Sequence, residues 1–167
     1  DQQQYSLNQR GDQMSLRLEY IYLYNYDWFL TGMDKDEIEM EFDEDDDIIV
    51  ITGDNGSGKS SLAMLINNPY PRTERGYGII EGKKGKREQI FVNDQTGVKY
   101  KITHQFEPKD NGSHECNSYF TIIHPDNTHE KIVSNGSVYD TRDAIEDYFG
   151  FDKKKINSLR LTCDDFG

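Results

Sequence analysis

Eight consecutive residues, Gly53-Asp54-Asn55-Gly56-Ser57-Gly58-Lys59-Ser60, follow the order G-x-x-x-x-G-K-[ST] without a departure. The chemistry that this order serves is the capture of a polyphosphate tail. Glycines let successive backbone N–H groups turn inward and approach phosphate oxygens, where a side chain would block them. Lys59 brings a mobile positive charge for the β- and γ-phosphates, and Ser60 offers a hydroxyl to Mg²⁺, a hard cation that prefers oxygen. Ser61 is placed to reach the α-phosphate. The cofactors expected from these residue types are ATP, or a closely similar nucleoside triphosphate, and Mg²⁺. Gly53, Asp54, Asn55, Gly56, Ser57, Gly58, Lys59, Ser60 and Ser61 form the binding set, Lys59 is the catalytic charge, and Ser60 is the metal ligand.

Such a loop has to be held between a strand and a helix. Ile48-Ile49-Val50-Ile51 is a short continuous apolar run of the kind found in strands buried on both faces. Ser60 to Ile66 has helical character, would present its positive N-terminal end to the same anion, and is stopped by Asn67-Asn68-Pro69. Upstream, Leu16 to Tyr24 reads as a strand with partial alternation. Ile38, Met40 and Phe42 alternate with Glu37, Glu39 and Glu41, a half-buried strand with a solvated acidic face. The acidic turn Asp43–Asp47 follows, so that this strand and Ile48–Ile51 are expected to form a hairpin feeding a central strand.

Beyond the helix, residues 67–87 carry two prolines and four glycines without a period, and are expected to be loop. Glu88 to Val92 and Val98 to Phe106 flank Asn93-Asp94-Gln95-Thr96-Gly97, whose glycine suits the positive φ of hairpin turns. Lys109-Asp110-Asn111-Gly112 is a second turn, Asn117 to His124 a strand, and Asp126-Asn127 a turn before Lys131-Ile132-Val133. Residues 88–138 therefore predict an antiparallel meander. Asp140 or Thr141 is expected to cap a helix with an apolar face of Ala144, Ile145, Tyr148 and Phe149, ended by Gly150. Lys153 to Leu161 predicts another short helix.

At 167 residues the chain is long enough to bury a core of its own, although only 34% of it is hydrophobic and the mean hydropathy is −0.88. The formal net charge of −12 is concentrated between Asp34 and Asp47, where ten acidic residues face the single Lys35. An acidic surface repels phosphate backbones, so composition opposes nucleic-acid binding by the whole surface. The exception is the basic cluster Lys83-Lys84-Gly85-Lys86-Arg87. Two cysteines, Cys116 and Cys163, make no disulfide framework of the secreted kind. No apolar run approaches the roughly 18 residues that span a bilayer, and a cytoplasmic setting with no membrane partner is expected. Residues 1–13 are glutamine-rich and without period, and read as a tag or disordered tail ahead of a native start at Met14.

The chain resembles the ATPases of the ABC superfamily. The 38 residues between Met14 and Gly53 hold two expected strands, like the N-terminal sheet that wraps the nucleotide in those proteins. Asn55-Gly56-Ser57-Gly58-Lys59-Ser60-Ser61-Leu62 is similar to their N-G-S-G-K-[ST]-[ST]-L, with Asp54 where proline often stands. Leu18-Glu19-Tyr20-Ile21-Tyr22-Leu23-Tyr24-Asn25-Tyr26 resembles the opening strand of SMC and SbcC-type DNA-repair ATPases, a pattern like I-x-x-I-x-L-x-N-F. No L-S-G-G-Q signature of an ABC transporter follows Lys59. The segment Tyr148-Phe149-Gly150-Phe151 with Ile156 to Leu161 is similar to the end of an SMC/SbcC first lobe, but Thr162-Cys163-Asp164-Asp165-Phe166 stands where the family has a Mg²⁺- and water-binding glutamine. Asp164 or Asp165 is the oxygen ligand available in its place.

The resemblance implies an α/β P-loop NTPase fold, an ABC/SMC-type half-head with an antiparallel meander and a central sheet around the P-loop helix. It implies that residues 14–167 are the N-terminal lobe, completed by a second lobe and coiled coil elsewhere. The implied function couples ATP binding and hydrolysis to DNA engagement in repair, recombination or anti-phage defence. The implied partners are a second head (a homodimer), a nuclease subunit and double-stranded DNA. The alternative is an ABC-type module of a transporter or other non-DNA complex, and a small-molecule kinase ranks third. Hydrolysis needs a positioned base and a second charge clamp. The nearest apolar run ending in an acid, Ile90-Phe91-Val92-Asn93-Asp94, lacks the glutamate.

Weaker signals complete the reading. Arg72 and Arg75 stand where SMC-like heads direct an arginine at the nucleotide, and loop solvation is the plain reading of both. His114, Cys116, His124 and His129 match no established zinc spacing. Lys83–Arg87 is the candidate for DNA-backbone contact, and a solvated loop rich in charge is its plain reading.

Overall fold

The computed structural model describes residues 16–27, 34–44, 65–66, 68–71 and 77–150. Six strands form one sheet: β1 (Leu16–Tyr24), β2 (Glu37–Glu41), β3 (Gly85–Asn93), β4 (Lys99–Pro108), β5 (His114–Ile123) and β6 (His129–Val133), in the order β2-β1-β3-β4-β5-β6. Every pairing among them is antiparallel. Helix α1 (Val138–Phe149) follows β6 and packs against β5 and β6.

The expectation of an α/β P-loop fold with a central sheet around the P-loop helix is overturned by this sheet. The physical reason lies in the connections. Parallel neighbours need a crossover of a dozen or more residues, whereas tight turns can join only antiparallel strands. The three links from β3 to β6 are tight turns. Asn93 accepts from Gly97 N at 2.7 Å, and Gly97 takes the left-handed φ of 77° that the turn requires. Lys109 N donates to Ser113 O, and His124 N to Thr128 O, each at 2.9 Å.

Two further expectations are corrected. Residues 67–87 are not loop to their end, because β3 begins at Gly85. The cap of α1 is Ser137, not Asp140 or Thr141: the Ser137 hydroxyl accepts from Asp140 N at 3.0 Å. Asp140 instead sits in the first turn, where its charge suits the helix dipole, and Thr141 is buried. Gly150 ends the helix in the left-handed conformation, donating to Glu146 O at 3.1 Å.

Each rung of the sheet shows which side chains face the core. Register places Ile38, Leu23, Arg87, His104 and Ser118 in one row, and Met40, Ile21, Gln89, Ile102, Phe120 and Val133 in the next. A third row holds Leu18, Phe91, Tyr100 and Ile122. The change from even-numbered Leu18 to odd-numbered Ile21 in β1 is a bulge: the register shifts between Leu18 and Tyr20, leaving Glu19 as the extra residue. This explains the only partial alternation of LRLEYIYLY. Leu65, Ile66, Tyr70, Ile145 and Phe149 join the rows in a single apolar cluster. Phe120 is its hub, stacked on Tyr148 at 5.4 Å and edge-on to Phe149 at 6.3 Å.

The strand end at Asn25 fixes how the sheet meets the chain from 78 to 84. Asn25 adopts a positive φ of 58°, receives Ile80 N on its carbonyl at 2.9 Å, and donates Nδ2 to Lys84 O at 2.7 Å. Tyr26 then bridges Ile79. No helix among the described residues is long and apolar enough to cross a membrane.

Candidate functional site: polar side chains that hold the chain after the glycine-lysine loop

The phosphate-loop residues Gly53, Asp54, Asn55, Gly56, Ser57, Gly58, Lys59, Ser60 and Ser61 lie outside the described residues, as do the run Ile48–Ile51, Arg72, Arg75, Asp164 and Asp165. The chain enters view again at Leu65 and Ile66, which are helical, and at Asn68 to Pro71. Here four main-chain carbonyls meet three polar side chains that rise from the buried face of β3 and β4.

Gln89 donates Nε2 to both Leu65 O and Ile66 O at 3.1 Å each. Both acceptors are main-chain carbonyls of residues in helical conformation. His104 bonds Pro69 O through Nε2 at 2.7 Å, and Arg87 donates Nη2 to Tyr70 O. Asn68 reinforces the same stretch, its own N–H bonding Leu65 O at 3.2 Å and its Oδ1 accepting from Tyr70 N at 3.0 Å. Arg87, Gln89 and His104 are all 0% exposed. Sequence order explains their convergence, since Arg87 and Gln89 alternate with Lys86 and Glu88 and share the face of Phe91.

The protonation pattern follows from the partners. A carbonyl can only accept, so His104 carries its proton on Nε2 and takes a hydrogen bond on Nδ1 from Ser118 Oγ at 2.7 Å. Ser118 Oγ in turn lies 3.5 Å from Cys116 Sγ. Burial, and then the nearby Arg87 charge, push the His104 pKa down from 6.5 to about 3, against the Pro69 hydrogen bond that favours the charged ring. The ring is neutral at any physiological pH. Burial also lowers the Arg87 pKa from its usual value, opposed by the Tyr26 and Cys116 groups. Nε and Nη1 of Arg87 find no acceptor, and no carboxylate pairs with it among the described residues. Tyr26 is driven up to about 12, first by burial.

The structure therefore removes Arg87 from the basic cluster in which sequence placed it. Arg87 is core, whereas Lys84 is exposed and Lys86 half-buried, standing 3.7 Å from Glu107 and Glu88 respectively. Lys83–Arg87 is not a continuous cationic surface for a DNA backbone. Asp94, the acid ending the Ile90–Asp94 run, is held by Arg17 through two hydrogen bonds of 2.8 and 2.9 Å, chiefly for which its pKa is lowered.

The histidines disperse. His114 Nε2 bonds Lys83 O at 2.8 Å, and His124 pairs with Glu130 at 3.0 Å. His129 lies on β6 and faces Ile123 in register. Among the described residues no three His, Cys, Asp or Glu side chains gather to hold a metal. A cavity of about 500 Å³ opens between Tyr77–Ile79 and the β4–β5 turn, with Lys109, His114 and Cys116 on its wall.

Sequence reasoning missed Arg87, Gln89 and His104 as a group. A usable signal was present: once Phe91 is assigned to the core, strict period-2 alternation carries Gln89 and Arg87 inward with it. Comparison with protein-family models and with curated proteins finds no match to this chain.

Proposed function

We propose that the chain binds Mg²⁺-ATP, or a closely similar nucleoside triphosphate, through Gly53–Ser61. In the whole protein it would act as the nucleotide-binding half of an SMC/SbcC-like ATPase that couples ATP binding and hydrolysis to DNA engagement. One observation carries the reading: the uninterrupted order Gly53 to Ser60, in which glycine, lysine and serine stand where polyphosphate and metal chemistry require them. The buried hydrogen bonds to Leu65 O, Ile66 O, Pro69 O and Tyr70 O support it, because a loop that cradles phosphates needs its following segment fixed. The proposed setting is cytoplasmic, with a second head and a nuclease as partners.

Charge favours a second reading at one point. With Arg87 buried, and Glu37, Glu39 and Glu41 exposed along the edge strand β2, the described surface offers double-stranded DNA little attraction. An ABC-type module working on a protein or membrane partner fits that surface equally well.

Titration of the complete protein with labelled ATP and Mg²⁺ tests the reading. Saturable binding is expected, weakened about tenfold or more in Lys59→Ala. Absence of saturable binding by folded wild-type protein overturns it. Stimulation of ATP turnover by double-stranded DNA separates the two readings: the first requires it, and the second excludes it.

A further inference from the structure

We propose that the open face of β1 and β2 is a docking surface for an extended, lysine- or arginine-rich segment of a partner protein, whose cations seat on Glu37, Glu39 and Glu41. The surface stands apart from the nucleotide reading, and its residues all lie in the described part of the sheet.

β2 carries a carboxylate at every second residue, on the face that it shares with three tyrosines of β1. Register sets Glu37 opposite Tyr24, Glu39 opposite Tyr22 and Glu41 opposite Tyr20, and directly opposed residues point the same way. The glutamates are exposed and the tyrosines half-buried. Glutamate is a poor strand residue and like charges on one face repel, so this arrangement lowers stability. No ion pair offsets it: among the described residues no lysine or arginine stands within ion-pair distance of the three carboxylates. Keeping an edge strand from pairing with another chain explains one such charge. It does not explain the tyrosines. The Tyr20 hydroxyl donates diagonally to Glu39 at 2.5 Å and that of Tyr22 to Glu37 at 2.6 Å, which anchors each ring beside a carboxylate. Ring and carboxylate together suit a lysine or arginine head, the one through its π face and the other through its charge. The fold supplies an example, with Lys86 Nζ 5.9 Å over the Tyr22 ring. That lysine comes from β3 and is engaged with Glu88 at 3.7 Å, so the β2 side stays without a cation. Charge then fixes the sign of the occupant: residues 34–44 hold seven acidic side chains and one lysine, a field that repels nucleic acid and attracts a polycation. Spacing fixes its form. Every second residue of a strand advances about 6.6–6.8 Å, so an extended chain lying along β2 brings a cation to each glutamate at alternate positions.

The probe is a labelled peptide with three arginines at alternate positions, separated by threonines, set against one of the same composition with the arginines contiguous. Each is titrated with the complete protein and followed by fluorescence anisotropy. At low salt the alternating peptide should bind with a Kd of about 10–100 µM and the contiguous one at least about threefold more weakly. Added salt should weaken both. Glu37→Gln, Glu39→Gln and Glu41→Gln together should raise the Kd about tenfold or more. Their thermal midpoint should hold or rise, because the repulsion along β2 is gone. Removing as many charges from α1, at the exposed Asp140, Asp143 and Asp147 as asparagines, should leave the Kd within about twofold. Tyr20→Leu with Tyr22→Leu should raise it about two- to fivefold by loss of the rings. Tyr20→Phe with Tyr22→Phe, which keeps the rings and releases the carboxylates, should bind at least as well as wild type.

Equal weakening by the β2 and α1 triple variants would mean that net charge alone draws the peptide, and overturns the proposal. So does a contiguous peptide that binds as tightly as the alternating one, since the spacing of the glutamates then selects nothing. Absence of saturable binding by wild type up to about 1 mM peptide overturns it as well.

Discussion

Adjacent residues of β3 live in opposite worlds. Lys86 and Glu88 point to the open face of the sheet, 3.7 Å apart and beside Tyr22, with Thr103 reaching Glu88 at 3.2 Å. Arg87 and Gln89 point into the core and are fully buried. On the open face the polar partners are side chains: Tyr20 donates to Glu39 at 2.5 Å and Tyr22 to Glu37 at 2.6 Å. On the closed face they are mostly main-chain carbonyls. Water competes for the first kind and can substitute for either partner, so each contributes little. It does not reach the second kind, where a missing donor leaves a buried acceptor unsatisfied at about 1–3 kcal/mol. The same residue classes, one position apart, thus decorate one face and hold the chain on the other.

The sharpest way to break this contrast is to exchange a hub of the closed face for its neighbour on the open one. Phe120→Ala removes a fully buried ring packed on Tyr100, Tyr148 and Phe149. It should cost about 3–5 kcal/mol in chemical unfolding. Tyr119→Ala, one residue away and only partly buried, should cost about 1 kcal/mol or less. Similar losses for both would mean that the open face is covered in the native protein.

Acid titration comes next in size. His104 is neutral in the fold, with its pKa lowered from 6.5 to about 3 by burial and by Arg87, while an unfolded chain binds the proton from about 6.5 downward. The unfolded state therefore holds more protons throughout that window, and stability falls as pH drops from 6.5 toward 3, by about 1.4 kcal/mol per unit at most. Carboxylates such as Asp94, which is lowered chiefly by its hydrogen bond to Arg17, add their own loss toward the acid end. The difference between wild type and His104→Gln isolates the imidazole: the variant's urea midpoint should change less between pH 6.5 and 4.5, a range in which most carboxylates stay charged. Parallel curves for the two proteins would place the His104 ring in water.

How much of this was legible follows from the same alternation. β1, β2 and the meander could be read because apolar residues and turn residues mark them locally. The bulge at Glu19 could not, since it depends on how β1 meets β3. The α/β expectation came from the usual setting of a glycine-lysine loop and not from any period in residues 85–133, whose tight turns already demanded antiparallel neighbours. Arg87 was misread for a related reason. In a run of Lys, Gly and Arg, charge reads as solvation, and only the partner strand says which side of the sheet a residue occupies. His104 carries no local mark at all, because its partners Pro69 and Ser118 lie far from it in the chain. The phosphate loop is the converse case: its chemistry is written in residue order alone, and its placement lies outside the described residues.

Ser118→Ala asks how deep the closed-face network runs. The hydroxyl donates to His104 Nδ1 at 2.7 Å in a fully buried site, so its removal should cost about 1–2 kcal/mol and loosen the ring's hold on Pro69. Ser118→Thr keeps the donor and should recover most of that loss.

The smallest expected effect is the most exacting test of the contrast. Tyr22→Phe deletes a hydrogen bond to Glu37 of 2.6 Å, short enough to look strong, and that bond more than burial holds the phenol pKa up at about 12. Geometry alone would rank it with the Gln89 pair. Solvent decides otherwise: the Glu37 carboxylate is exposed on an edge strand and regains water when the hydroxyl goes. The change in unfolding free energy should stay within about 0.5 kcal/mol, and it should shrink further in high salt as the charge is screened. A loss of 2 kcal/mol or more here, measured against Gln89→Met under the same conditions, would show that another part of the protein dries this face and that β1 and β2 line an interface.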